Sequence, residues 1–316
     1  MNGLELSRGY FEAYGQPMLE EQFPDLLPLL AVGLVGSGSE RFGYDDEIST
    51  DHDFEPGFCI FIPDESVLDR RKAFQLERAY AKLPKEYGGF VRQPLSPVGG
   101  NRNGVIRTAD FYRAHVGSPD GLLSIGEWLR LPDTALAEAT NGEIFFDNYG
   151  EYSRIRETLC LRPNDIRLKK LAGQLLVMAQ AGQYNFPRCI RRGEPDAAQL
   201  ACVTFVEAAM EVTFLLQERY MPYYKWSFRA LRELPGTGTL VRQLSSLLYG
   251  DNRDEALARQ KYDTIESVAS SVIDLLQEDG LTEAICGDLE KHAYSVNDHI
   301  TDGEIRNLHI LAAVGN

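Results

Sequence analysis

The sequence predicts an α+β chain in two parts, a strand-and-helix domain over residues 1–155 and an all-α bundle over residues 156–316. Three observations carry this. Short apolar runs closed by Gly, Ser or Pro, the pattern of buried strands, fall in the first half. From about residue 164 an i, i+3, i+4 apolar spacing replaces them. The 316 residues, 44% hydrophobic and 25% charged, suffice for one large core or two ordinary ones.

Taken in order, residues 4–22 place Leu4, Phe11, Tyr14, Met18 and Leu19 at helical spacing, with Gly15 and Pro17 set to kink or divide that helix. Ala31–Val35 and Phe58–Ile62 are apolar runs of strand length, the second closed by Pro63. Residues 66–82 have helical character, with Asp64 or Ser66 as N-cap. Gly, Pro and Asn fill residues 88–104, which predicts a loop, and Val105-Ile106 and Ile144–Phe146 are candidate short strands.

In the second half, Leu168, Leu171, Ala172, Leu175, Leu176 and Ala179 form one helical stripe that Asn164 is placed to cap. Residues 196–220 are apolar on most faces, which predicts a central bundle helix. Further helices fit residues 224–234, 237–249, 254–278 and 281–293.

Acidic residues outnumber basic ones, 47 against 32, for a formal charge of −15. That field disfavours a broad nucleic-acid surface but admits a small anion escorted by a metal ion. Five cysteines (Cys59, Cys160, Cys189, Cys202, Cys286) contain no C-x-x-C pair, which argues against a zinc site or a disulfide framework. Without a basic-then-apolar leader or an evident apolar run of bilayer length, the reading is soluble and cytoplasmic, with no membrane partner.

The chemistry concentrates in Gly36-Ser37-Gly38-Ser39-Glu40-Arg41-Phe42-Gly43, followed by Asp51-His52-Asp53, all between the two best strand candidates. Alternation along a strand puts Asp51 and Asp53 on one face and His52 on the other. Two neighbouring carboxylates repel unless a cation joins them, and Mg²⁺ (or Mn²⁺) selects such oxygens together with phosphate. The glycines let backbone N–H groups approach phosphate oxygens, with Ser37 and Ser39 hydroxyls close by. Asp51 and Asp53 are therefore the metal-binding and catalytic candidates, and Gly36, Ser37, Gly38 and Ser39 the nucleotide-binding ones.

Gly38-Ser39-x-x-x-Gly43 followed by Asp51-x-Asp53 resembles the signature of the DNA polymerase β-like nucleotidyltransferase superfamily, whose members include kanamycin and lincosamide nucleotidyltransferases and the minimal enzymes of toxin–antitoxin pairs. The wider pattern, GSGSERFGYDDEISTDHDFEPGF, then GQYNFPRC and YMPYYKW, is similar to an uncharacterised bacterial group with a helical C-terminal domain of unknown function. The resemblance implies a mixed sheet flanked by helices, metal on Asp51 and Asp53, and the triphosphate of ATP or another NTP over Gly38-Ser39. It also implies a third carboxylate acting as general base. The strand candidate Gly104–Arg107 holds none, and Asp110 and Asp147 are the nearest substitutes. Asp45, Asp46 and Glu47 read as a solvated loop.

In the second half, Tyr184 and Arg188 at a helix break and Lys225 within an aromatic segment are further nucleotide-binding candidates. The expected activity is transfer of a nucleoside monophosphate from NTP·Mg²⁺ to a hydroxyl acceptor, preferably a small molecule. An RNA end requires Arg188, Arg191, Arg192 and Lys225 to share one face. A nucleotide-binding regulatory or antitoxin-like protein is the alternative, and a homo-oligomer is compatible with either.

Overall fold

The computed structural model describes residues 2–48, 54–92 and 102–314. The chain is α+β and separates into two compact units. One comprises residues 1–123 and 134–161, the other residues 124–133 and 162–316.

The first unit opens with α1 (Gly3–Tyr10), which passes through a π-helical turn, Phe11–Gly15, into α2 (Gln16–Gln22). Asn2 caps α1 in a reciprocal box with Glu5, each side chain accepting the other's backbone N–H at 2.9–3.0 Å. The kink expected at Gly15 and Pro17 is met by this widened turn. Pro17 sits in the first turn of α2, where a missing N–H costs little, and a side chain at Gly15 would collide with the Phe11 and Phe58 rings.

The sheet has the order β5-β2-β1-β6. Strand β1 (Ala31–Leu34) runs antiparallel to β2 (Cys59–Ile62) and to β6 (Glu143–Asp147), and β2 runs parallel to β5 (Gly104–Arg107). β1 and β2 are buried along their whole length, so they read as continuous apolar runs rather than alternating ones. Val32, Phe58 and Ile60 share a core with Tyr10, Phe11 and Leu76, the last from α3 (Arg70–Ala81). On Phe61 pack Phe111 of α4 (Thr108–Val116) and Tyr152 of α7 (Glu151–Cys160), ring centroids 5.2 and 4.4 Å away.

Two expectations change here. The helix expected from residue 66 begins at Arg70, and its cap is Asp69, which accepts the Lys72 N–H at 2.9 Å. Asp64 instead closes its own turn on the Ser66 N–H. Within the predicted loop lies a hairpin of β3 (Glu86–Tyr87) and β4 (Phe90–Val91), turned by Gly88-Gly89, both at positive φ.

The second unit is helical. It takes α5 (Ile125–Arg130) from the middle of the chain, ahead of α6 (Asp133–Thr140), and then everything after Leu161. α8 (Asn164–Met178) continues through a π-helical turn, Ala179–Asn185, into α9 (Phe186–Arg191). Asn164 does not cap α8. It follows Pro163 as the first helical residue, and its side chain accepts from the Arg167 guanidinium at 2.9 Å. Lys169, fully buried on α8, donates to Asn297 Oδ1 (2.8 Å) and to the carbonyls of Arg306 (3.2 Å) and Leu308 (2.7 Å).

Central α10 (Pro195–Leu216) packs on α8, as its apolar circumference predicts. Among the described residues it is also the one helix long and apolar enough to cross a membrane, which the sequence reading had not allowed. More than half of its apolar stretch is buried inside the protein, the condition of a bundle core. Then come α11 (Tyr224–Glu233), α12 (Gly238–Leu248), α13 (Glu255–Glu278), α14 (Leu289–Asp298) and α15 (Gly303–Asn307). α14 starts eight residues later than expected because Asp288 supplies its cap, accepting the Glu290 N–H at 2.9 Å.

Candidate functional site

The glycine-rich turn leaves the end of β1. Gly36 and Gly38 hold φ of +100° and +137°, values that favour glycine. Gly36 is gripped by Asn141, which accepts its N–H at 2.8 Å and donates to its carbonyl at 2.7 Å. Ser37 donates to Glu138 Oε2 at 2.6 Å, whereas the Ser39 hydroxyl makes no hydrogen bond among the described residues. His115 lies against the same turn: its Nδ1 donates to the Phe111 carbonyl, and a Cβ at Gly36 would stand 3.5 Å from its Nε2.

Arg41 organises the turn from beneath. Its guanidinium, 2% exposed, donates to the carbonyls of Val35 (2.7 Å) and Arg102 (3.1 Å) and to Asn103 Oδ1 (3.0 Å), and it pairs with Glu40. Burial lowers its pKa from the ordinary arginine value. Glu40 lays its carboxylate against the Gly38 Cα, so a phosphate approaching over Gly38 meets a negative charge already seated there.

Asp51, His52 and Asp53 lie outside the described residues. Nearby in sequence, Asp45 accepts the Gly3 N–H at 2.9 Å through Oδ2, while its Oδ1 is buried with no hydrogen-bond partner among the described residues. The two substitutes for a third carboxylate are both engaged elsewhere. Asp110 is on α4, exposed and paired with Arg113 at 2.5 Å. Asp147 ends β6 and accepts the N–H groups of Gly150 (2.7 Å) and Ser153 (2.8 Å), securing the start of α7.

In the helical unit, Tyr184 and Arg188 come together, the guanidinium 4.5 Å over the ring. Tyr184 stands in the wall of a cavity of about 670 Å³ that also collects Tyr262, Glu266, Asp288 and Glu290. These carboxylates oppose an anionic ligand, which weakens the reading of Tyr184 as a nucleotide contact. Gln183 fixes the wall by donating to Glu266 Oε2 and the Gly287 carbonyl and accepting the Leu289 N–H, all at 2.9–3.0 Å. Lys225 is exposed in the first turn of α11, next to the paired rings of Tyr223 and Tyr224.

A buried polar knot in this unit had no sequence signal. Asp133 accepts from Arg162 (2.6 Å) and Lys170 (3.0 Å), and Arg162 lies 4.5 Å over the Tyr220 ring with its Nε buried and without a hydrogen-bond partner among the described residues. Glu211 on α10 accepts from Gln174 at 2.6 Å, and Lys170 and Arg162 only partly offset its burial. Burial first, then the Asp133 charge, push its carboxyl up to about 7. A carboxyl raised in the folded state holds its proton where the unfolded chain has released it. Stability therefore falls as pH rises from the ordinary glutamate range to about 7. Glu211→Gln should abolish that decline, leaving the variant about 1–3 kcal/mol more stable than wild type at pH 8 and equal to it near pH 4.5. Urea unfolding at both pH values measures this, and parallel pH profiles for the two proteins would refute it.

A family model described as a domain of unknown function (DUF4037) matches residues 128–227. No curated protein and no solved structure matches the chain. The matched span holds Asp133, Arg162, Lys170 and Glu211, together with Tyr184, Arg188 and Lys225; the glycine-rich turn lies outside it.

Proposed function

We propose that the protein is a metal-dependent nucleotidyltransferase of the polymerase β-like fold, moving a nucleoside monophosphate from NTP to a hydroxyl on a small acceptor in the cytoplasm. The observation that carries this is the path between two central strands. β1 runs into the glycine-rich turn, and the chain returns antiparallel as β2, with Gly33 opposite Cys59. The sequence between those strands holds both the turn and the Asp51-x-Asp53 pair.

The donor chemistry suits Mg²⁺ or Mn²⁺. On the Asp51-x-Asp53 spacing and the resemblance it carries, the ligands would be Asp51 and Asp53. The orphaned buried Asp45 Oδ1 beside the turn is an acceptor that a cation, or water bound to one, would satisfy. When bound, the ion would neutralise phosphate charge and stabilise the leaving pyrophosphate. The chain's own part is to fix the shape of the turn. Asn141 clamps Gly36, Arg41 holds Val35 and Glu40, and the unengaged Ser39 hydroxyl is free to donate to a phosphate oxygen.

One observation favours a second reading, a nucleotide-binding regulatory protein without turnover. Asp110 is paired with Arg113 and Asp147 accepts two backbone N–H groups, and losing a general base slows transfer typically ~10²–10⁴-fold. Incubation with each labelled NTP, Mg²⁺ and cell extract separates the two. A labelled small-molecule product supports the enzyme. Saturable binding with no product supports the regulator, and the absence of both binding and product would refute both readings.

A further inference from the structure

The helical unit contains another cavity, about 730 Å³, formed by α9, the start of α10, the turn before α13 and the first two turns of α13. Its floor is apolar, with Phe186, Pro187, Ile190 and Ala258. Its walls carry Arg191, Arg253 and Arg259 against a single carboxylate, Glu255. In a chain of net charge −15 this is a local inversion of sign. Arg191 and Arg259 make no hydrogen bond or ion pair among the described residues. Arg253 has only long pairings, 3.6 Å to Asp196 and 3.9 Å to Asp251, with all three side chains largely exposed.

Asn252 fixes the shape of the wall by tying the turn before α13 to the start of α10. It stands in the same wall, 9% exposed, and its Nδ2 donates to the Pro195 carbonyl and to Gln199 Oε1, both at 3.1 Å. The Pro195 carbonyl can only accept, so the orientation of the amide is fixed. Its Oδ1 is then buried with no partner among the described residues and out of reach of a molecule in the cavity, so it takes no part in binding.

We propose that this cavity binds a small organic phosphate. With Arg253 shared by Asp196 and Asp251, Arg191 and Arg259 against Glu255 leave the wall net positive, which favours an anion. The forked donors of Arg191 and Arg259 match phosphate oxygens. The body of the ligand lies on Pro187 and Ile190, the partly exposed apolar residues of the cavity. The site is formed within the helical unit and does not depend on the nucleotide chemistry proposed for the glycine-rich turn.

Calorimetric titration of the full chain with 4-aminophenyl phosphate, in the absence of divalent metal, tests this. The probe should bind. Arg191→Gln and Arg259→Gln, both changes of exposed side chains, should each weaken it about tenfold or more, while Arg232→Gln, at an exposed arginine outside the cavity, should leave it unchanged. Inorganic phosphate, without an apolar body, should bind at least about tenfold more weakly than the probe. Absence of probe binding to folded wild type would overturn the proposal. So would equal losses in all three arginine variants, or inorganic phosphate binding as tightly as the organic probe.

Discussion

Replacing Asp51 or Asp53 with asparagine is expected to abolish Mg²⁺-dependent binding of nucleoside triphosphate while leaving the melting temperature unchanged or higher. The asparagine amide keeps the size of the side chain but loses the negative charge that a hard cation requires. Without the ion, the triphosphate faces a chain of net charge −15 and, in the turn itself, the Glu40 carboxylate beside Gly38. The loss should therefore exceed that of one charge-assisted hydrogen bond, which is about 1.5–3 kcal/mol, or roughly 10- to 150-fold. Relief of carboxylate repulsion accounts for the unchanged or raised melting temperature. Titration with a non-hydrolysable NTP analogue at fixed Mg²⁺ measures the effect, and equal affinity in wild type and both variants would remove the metal-site assignment.

Gly38→Val should be a stability mutation first and a binding mutation second. With φ +137° and ψ 146°, Gly38 occupies a region that side-chain-bearing residues avoid, at a cost of about 1–3 kcal/mol. A valine Cβ would also drive the Glu40 carboxylate off its seat, and Glu40 is the partner of the buried Arg41. Breaking one side of such a pair costs about 3–5 kcal/mol where no water can take over. The combined loss should reach several kcal/mol, visible as a lower denaturant midpoint. A variant with wild-type stability would show that neither the backbone conformation nor the Glu40–Arg41 pair is needed. The glycine is thus explained by its own backbone and by Glu40. Ser39→Ala, which removes a hydroxyl with no partner among the described residues, is the cleaner probe of phosphate contact.

Much of the fold was legible because β1 and β2 are buried on both faces and the bundle helices keep a clear apolar stripe. Helix starts were less legible where several carboxylates compete for one cap. Asp64 and Asp69 are equally good capping residues in isolation, and only the winner's place just before an unbroken helical run decides. The glycine-rich turn was visible in the sequence, but its supports were not. Glu138 and Asn141 arrive from about a hundred residues downstream, and a lone glutamate and asparagine near a helix end carry no periodic signal. Arg41 was within the quoted motif, yet nothing in its neighbours announces a buried guanidinium. The Asp51–Asp53 pair, the strongest sequence signal, falls outside the described residues, so its support remains the spacing alone.

Lys169 imposes an order on how the helical unit can be made. Its three acceptors lie 128, 137 and 139 residues further along the chain, on Asn297, Arg306 and Leu308. At roughly 5–20 residues per second on the ribosome, α8 exists for on the order of ten seconds before they are synthesised. During that time its ammonium must stay in water, because burying it unpaired costs several kcal/mol. Gly173, one turn further on, waits in the same way for Ile310 and Val314, which pack directly on its bare Cα. The side of α8 that bears Lys169 and Gly173 therefore closes last, after α10 and α14 are available to pack on the helix. A nascent chain halted before Arg306 would leave that one side open, with Lys169 short of two of its acceptors.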